Sequence, residues 1–311
     1  MFDIALLTLS SAGVLLVYIF IGYLLRRSGK FPDNAGKVLA TLAMTLILPV
    51  YTARTLSKNF TVASIGSNLA LLGCGILFTA VSIIVGIVLS KRMGKDDFDR
   101  KSLQYAFTFA NYGYFGYPML ESVFGANALA CGVVFALPFS ISCNTSGYLM
   151  FSKEKKLTWK KVLLIPNVIG AACGITLGLT GITLPSFFTT MINAISGCLS
   201  PISMLLVGLT LGSFPLKKLF SGTRAYLLGL IRLLGIPFVF TIVLYVCGVR
   251  GLYLLLPALF SSLPLGSNLV IYPESYGIDA SDNARTCFIS YILAIVILPV
   301  SFAIISHLAG I

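Results

Sequence analysis

The sequence predicts an all-helical integral membrane protein with ten transmembrane helices, arranged as two inverted five-helix repeats. Of its 311 residues, 57% are hydrophobic and only 10% are charged, with a mean hydropathy of +0.96. Soluble domains carry about 25% charged residues. Ten apolar runs each come close to the roughly 20 residues that cross a bilayer as a helix. A shift of 152 residues superposes the five runs of the first half on those of the second.

The predicted spans cover residues 4–25, 35–56, 66–90, 102–121, 126–151, 162–180, 186–212, 222–248, 252–273 and 284–307. They divide the chain into a first repeat (1–151), a short basic loop (152–161) and a second repeat (162–311). The first run lacks a basic leading segment and contains Asp3, so we interpret it as a retained helix rather than a cleaved signal.

The basic residues predict the orientation in the membrane. Of the 22 Lys and Arg residues, 18 fall in the loops after spans one, three, five, seven and nine, and only Arg54, Lys58 and Arg250 fall in the others. Because cytoplasmic loops carry the excess of Lys and Arg, both termini should lie outside the cytoplasm, in a multi-pass protein of the inner (plasma) membrane. The net charge of +12 sits in short clusters between apolar runs, which favours the lipid bilayer and not nucleic acid as the partner.

The seven cysteines all fall inside apolar runs and form no CxxC or Cys/His spacing. We interpret them as small buried residues, so we expect neither disulfides nor a metal site, and no cofactor.

Identical residues 152 positions apart support the repeat by their placement more than by their number. The pairs are Gly22 and Gly174, Gly29 and Gly181, Pro49 and Pro201, Ala106 and Ala258, and Gly125 and Gly277. Because five spans is an odd number, the second half would enter the membrane upside down, as in many secondary transporters. The alternative is that any ten runs of similar length can be shifted onto each other.

Span four cannot be a continuous helix. It carries the polar Asn111, the flexible Gly113 and Gly116, and Pro118, which lacks a backbone donor. A broken helix survives in hydrocarbon only where protein encloses it or where it lines a cavity. The alternative is a proline kink that only shapes packing.

Span nine is interrupted at the corresponding place, at Pro264, Gly266 and Pro273, and carries Ser267 and Asn268. Two interrupted helices in matching positions indicate a transport site. The second half of each would begin with free N–H groups and a positive dipole end, which attract an anion. Asn111 and Asn268 would bind and orient the ligand, with Ser267 as a weaker partner, or would only cap the helix ends.

In these residues the chain resembles a bacterial member of the auxin efflux carrier family. The shared motifs are Asn111-Tyr-Gly113 followed by Pro118, Pro264 followed by Asn268, LILPVYTARTL around Pro49, PISMLLVGLTLG around Pro201, and Pro166-Asn167. The resemblance implies the bile-acid-symporter-like fold, in which spans four and nine unwind and cross, and a small carboxylate substrate. It adds Pro49, Asn167 and Pro201 as supporting site residues. Ala110 departs from the family, whose plant members have proline there, and the long hydrophilic loop of many plant members is missing.

Four ionisable side chains leave alternatives open. Arg232 lies inside span eight, where an arginine is costly. It could contact the substrate, pair with Glu121 or a backbone carbonyl, or extend to the membrane surface. Glu121 and Glu274 could carry protons or lie in water, and His307 is expected to be inert.

The sequence therefore favours a secondary carrier of a small organic anion, which is not an enzyme. No nucleotide-binding loop is present, so coupling would come from an ion gradient, the membrane potential or neither. A membrane-embedded enzyme and a transmembrane receptor are the alternatives. Whether the carrier works alone or as a homodimer stays open.

Overall fold

A computed structural model of the chain describes residues 2–152 and 158–311, except for the side chains of Trp159, Glu274 and Ser275. The loop residues Lys153, Lys155 and Lys156 and the candidate side chain of Glu274 therefore lie outside this description. The helices, numbered in chain order, are α1 (Phe2–Arg27), α2 (Ala35–Asn59), α3 (Val62–Met93), α4 (Asp97–Thr108), α5 (Tyr112–Gly147), α6 (Trp159–Leu163), α7 (Pro166–Thr180), α8 (Ser186–Leu211), α9 (Leu216–Leu219), α10 (Thr223–Val246), α11 (Leu252–Ser262), α12 (Asn268–Ser275) and α13 (Ser281–Ala309).

Seven of these helices are long and apolar enough to cross a membrane, namely α1, α2, α3, α5, α8, α10 and α13, and α7 and α11 are shorter apolar helices. Large apolar side chains point outward from the bundle. Leu77, Val239 and Val296 are 65%, 59% and 72% exposed. Extensive exposed apolar surface marks contact with a membrane or a partner. The prediction of an all-helical, multi-pass membrane protein agrees with this architecture.

In the part of the chain that the structure describes, α2, α5 and α10 contain four wide turns with hydrogen bonds of the π type. One of them, at residues 143–147, ends α5. The other three cover residues 43–47, 112–116 and 231–235, and each is followed by a proline, namely Pro49, Pro118 and Pro237. A proline removes one helical hydrogen bond and clashes with the carbonyl four residues earlier. The wide turn takes up that conflict without ending the helix.

Glycines bring two pairs of helices into backbone contact. A methyl group on Gly22 of α1 would lie 2.3 Å from the carbonyl oxygen of Leu205 in α8. One on Gly174 of α7 would lie 2.6 Å from the carbonyl oxygen of Ala53 in α2. Gly170 and Gly178 approach the backbone of α2 and its end in the same way, so the small-residue spacing on α7 serves close packing.

Positive φ angles occur at matching places in the two halves of the chain. Gly29 and Gly181 have φ of 70° and 65°, and Gly125 and Gly277 have φ of 82° and 73°. Gly125 interrupts α5, so that residues 112–124 and 126–147 run as separate helical parts. A side chain at these four positions would be strained, which explains glycine there.

Candidate functional site

Two helices break beside each other near the middle of the bundle. The helix α4 ends at Thr108 and α5 begins at Tyr112, while α11 ends at Ser262 and α12 begins at Asn268. The two extended connections lie antiparallel, with Ala110 paired to Leu265. The N–H of Asn111 donates to the carbonyl of Pro264 at 2.9 Å. The two connections thus supply backbone hydrogen-bond partners to each other, which lipid could not provide.

The local sequence explains both breaks. Residues before a proline avoid the helical region, and Leu263, before Pro264, has extended angles (φ −65°, ψ 150°). In the other connection Asn111 is the N-cap of α5, where its side-chain oxygen accepts the N–H of Tyr114 at 3.3 Å. Pro118 is not at the break, contrary to the sequence-based expectation. It follows the wide turn as the second residue of the next regular stretch, where proline is tolerated.

A cavity of about 320 Å³ lies between the two breaks. Its lining includes six residues that the sequence singled out, Asn111, Gly113, Asn167, Gly266, Ser267 and Asn268. The beginnings of α5 and α12 both reach it, so two positive helix ends meet at one cavity. The described lining residues include no Asp, Glu, Lys or Arg.

Asn111 is buried, and its side chain already has two partners. Besides capping α5, its Nδ2 donates to the hydroxyl oxygen of Tyr291 on α13. The structure therefore shows the capping role that the sequence left as an alternative. The same side chain borders the cavity, so capping and ligand contact are compatible.

Asn268 and Ser267 carry polar atoms without a protein partner. The Nδ2 of Asn268 donates to the hydroxyl oxygen of Tyr272 at 3.1 Å, while its Oδ1 is buried and unpaired. The hydroxyl of Ser267 is also buried and unpaired. The hydroxyl of Tyr114, which also lines the cavity, is buried and unpaired as well. Because buried polar atoms are nearly always hydrogen-bonded, these atoms are candidates to meet a ligand: the two hydroxyls can donate to an anion, whereas Oδ1 can only accept.

Asn167 closes the cavity from α7 and belongs to a polar network. Its Oδ1 accepts the Thr52 hydroxyl at 2.8 Å, and its Nδ2 donates to Ser140 Oγ at 2.9 Å. Ser140 Oγ also accepts the hydroxyl of Tyr112 at 2.7 Å. This network ties α2, α5 and α7 together at the cavity wall.

The other predicted residues lie outside the cavity lining. Pro264 accepts the backbone bond from Asn111, and Gly116 packs against Leu263, whose Cδ1 would be 2.5 Å from a methyl group there. Pro49 lies against Gly170. Pro201 is half-buried within α8. In the structure Pro264, Gly116 and Pro49 make backbone or packing contacts, and a ligand contact by any of these residues stays a prediction.

Arg232 also lies away from the cavity, and it is only 2% exposed. Its guanidinium donates to three backbone carbonyls, those of Phe107 at 3.2 Å, Leu263 at 3.3 Å and Phe260 at 3.5 Å. The alternatives in which it extends to the surface or pairs with Glu121 are therefore wrong. Glu121 is exposed and accepts the Tyr51 hydroxyl at 3.1 Å.

With this geometry in place, comparison with known proteins decides the family. The chain matches the family described as "Membrane transport protein" over residues 11–157 and 150–302. It belongs to this family, that of the auxin efflux carriers. An uncharacterized transporter of Methanothermobacter thermautotrophicus is 25% identical over 289 residues, which cover 91% of this chain and 94% of the relative. Another from Methanocaldococcus jannaschii is 25% identical over 301 residues, covering 92% and 94%.

In this membrane transport protein, sequence reasoning missed the tyrosines of the cavity wall. They are Tyr105, Tyr112, Tyr114, Tyr148 and Tyr272. The sequence leaves open whether aromatic residues near the breaks border a cavity or fill the core, and it favours core filling. The signal was their clustering on both sides of the two breaks, since tyrosine offers an apolar ring and a polar tip.

Proposed function

We propose that this membrane transport protein is a secondary carrier that moves a small organic carboxylate by alternating access through the cavity. The observation that carries the proposal is that the beginnings of α5 and α12 reach the same cavity. Each helix start is equivalent to about half a positive charge. Together they offer about one unit of positive charge to a ligand.

The lining favours an ionised acid over other ligands. A cation would find no Asp or Glu among the described lining residues, and a desolvated charge without a partner is costly. Amide, hydroxyl and phenol groups surround the helix ends instead. The volume of about 320 Å³ lies at the lower end of ligand pockets, which suits a small molecule.

We further propose ten membrane crossings in two inverted repeats. In this arrangement α4 with residues 112–124 forms one crossing, residues 126–147 form the next, and α11 with α12 forms the ninth. The glycine contacts support it, because Gly22 and Gly174, like Ala53 and Leu205, are 152 residues apart and make equivalent contacts. The positive-φ glycines recur at the same interval.

The lining of the cavity and the bias of the basic loops support an entrance from the cytoplasm. The lining extends to Tyr148 and Ile165, close to the basic loop 152–161 that we place in the cytoplasm. A smaller cavity of about 200 Å³, beside Pro118 and Ser200, lies elsewhere on the bundle. In the proposed state the cavity opens to the cytoplasm, and both termini lie outside.

The test is uptake of radiolabelled malonate and malate into proteoliposomes that contain the purified protein. We expect saturable accumulation of chemically unchanged acid, lost in Asn268→Ala and retained in Asn68→Ala, a buried asparagine on α3 outside the cavity lining. Conversion of the acid would favour an enzyme, and binding without accumulation would favour a receptor. Accumulation that is equal in empty liposomes would refute the carrier.

A further inference from the structure

Arg232 contacts the C-terminal ends of α4 and α11, the helices that precede the two breaks, whereas the N-terminal ends of α5 and α12 reach the cavity. It sits in the wide turn at residues 231–235 of α10. Its three carbonyl partners belong to Phe107 in the last turn of α4, to Phe260 in the last turn of α11, and to Leu263 directly after α11. One side chain on a third helix therefore bridges both interrupted helices.

These carbonyls need a partner because of where they lie. The last four carbonyls of a helix have no partner within it, and a buried carbonyl left unpaired is costly. Each helix C-terminus is also equivalent to about half a negative charge, so two such ends amount to about one unit. A single guanidinium balances that charge, and Arg232 forms no recorded ion pair with an acid in the part of the chain that the structure describes.

Carriers that are coupled to an ion use the same kind of position differently. In them the unwound carbonyls and the C-terminal ends of broken helices coordinate the coupling cation. We propose that Arg232 is the resident cation of the broken-helix pair. It positions α4 and α11 so that the starts of α5 and α12 face the cavity, and it does so without a bound metal ion. Its effect on transport rests on the carrier function proposed above, whereas its cation role does not.

Only the second half of the chain provides this residue. The position 152 residues before Arg232 is Ala80. The first repeat therefore has no equivalent cation, and one substitution at Arg232 removes the charge. Arg250, an exposed arginine after α10, is the matched control.

The first measurement uses the unmodified protein. We expect its thermal unfolding temperature and its binding of malonate to be unchanged when Na⁺ is replaced by choline at constant ionic strength. A loss of either in choline medium would overturn the proposal, because the protein would then need a metal cation despite Arg232. This measurement does not depend on whether any variant folds.

The second measurement removes the resident cation. Arg232→Ala should lower the unfolding temperature by several degrees. It should also weaken malonate binding about tenfold, which corresponds to about 1.4 kcal/mol, because the starts of α5 and α12 would no longer be held facing the cavity. Millimolar guanidinium chloride should raise the unfolding temperature of Arg232→Ala relative to choline chloride, and should not raise that of the unmodified protein or of Arg250→Ala. The unfolding temperature and the malonate affinity of Arg232→Lys should lie between those of Arg232→Ala and those of the unmodified protein, because lysine keeps the charge but not the planar fork of donors.

Rescue separates a cation role from mere packing, since a void filled by any solute would not prefer guanidinium. An Arg232→Ala protein with the stability and binding of the unmodified protein would overturn the proposal. So would a folded variant that guanidinium fails to stabilise. If no variant folds, the choline measurement decides alone. If no carboxylate is transported at all, the carrier proposal fails while the stability measurements still decide the role of Arg232.

Discussion

Replacing Asn268 by alanine tests the candidate site most directly. In the structure its Nδ2 makes one hydrogen bond, to Tyr272 at 3.1 Å, and its Oδ1 has no partner. Removing it therefore costs the protein about 1 kcal/mol for a neutral hydrogen bond and also removes an unpaired acceptor. We expect the stability of Asn268→Ala to stay within about 1 kcal/mol of the unmodified protein.

Ligand binding should respond much more strongly than stability. The second hydrogen of Asn268 Nδ2 can donate to a carboxylate. A hydrogen bond to a charged group is worth about 1.5–3 kcal/mol, or roughly ten- to a hundredfold in Kd. Titration calorimetry with the dicarboxylate that best stabilises the purified protein measures Kd, and thermal unfolding measures stability. The opposite pattern, with unchanged Kd and lost stability, would refute a ligand role for Asn268.

Asn111→Ala provides the contrast. It removes both the cap of α5 and the donor to Tyr291, and loss of an N-cap alone costs about 1 kcal/mol. We therefore expect Asn111→Ala to lose stability as well as affinity, whereas Asn268→Ala loses mainly affinity. Asn68→Ala is the common control. Wild-type Kd in both cavity variants would show that these asparagines only cap or pack.

Three further predictions follow from the helix ends, the packing and the loops. The amide of the bound acid should bind at least about tenfold more weakly, a difference of about 1.4 kcal/mol, and equal Kd values in calorimetry would refute an anion site. In a cysteine-free background, cysteine at Lys58 should react with impermeant maleimide on intact cells while cysteine at Lys218 resists, and the reverse would refute the orientation. Gly174→Ala should lower stability by about 1–3 kcal/mol because its methyl group would meet the backbone of α2. Gly73→Ala is the control, because a methyl group there would have open space around it and should leave stability unchanged. Equal unfolding temperatures of the two variants would refute close packing at Gly174.

A last measurable effect concerns acid stability at the start of α4. Burial raises the pKa of Asp99. Hydrogen bonds from Arg224 and from the Lys95 N–H, together with the charges of these two residues, lower it by more, so the pKa of Asp99 lies below its ordinary value. A lowered folded-state pKa gives stability that is present above the unfolded pKa of about 3.9 and is lost as pH falls through the folded value. Because both side chains are partly exposed, Asp99→Asn should cost about 1 kcal/mol or less near pH 7 and flatten the acid side of the stability profile. An unchanged profile in thermal unfolding scans would contradict this.

The sequence could predict helices and breaks because these depend on local chemistry. Apolar run length identifies membrane helices, and Pro264 removes a donor wherever it stands. The exact break in the first half was harder to predict. Pro118 looked like the breaking residue, but the wide turn at residues 112–116 absorbs it, and the chain opens instead at Phe109 to Asn111.

Partners that depend on tertiary structure could not be predicted from the sequence. The carbonyl of Phe107 is 125 residues from Arg232 along the chain, and it becomes a free acceptor only because α4 ends there. The tyrosines of the cavity wall posed a similar problem. A ring that fills a core and a ring that borders a cavity have the same hydrophobic pattern, so only packing separates Tyr148 or Tyr272 from core aromatics.

The two breaks present a negative pole, the C-terminal ends of α4 and α11, and a positive pole, the N-terminal ends of α5 and α12. The polar groups at these two poles are paired in different ways. At the negative pole, the carbonyls that end α4 and α11 are paired by Arg232, a covalent part of the chain. At the positive pole, Asn111 caps α5, while Ser267 and Asn268 keep unpaired polar atoms at the start of α12. Because a buried polar group without a partner is costly, the second pole favours a ligand that brings its own hydrogen-bonding groups. The Ser267 hydroxyl and the second hydrogen of Asn268 Nδ2 can donate to an anion. A permanent cation at one pole and an exchangeable anion at the other would let the substrate enter and leave without dismantling the helix pair, which is what a carrier requires.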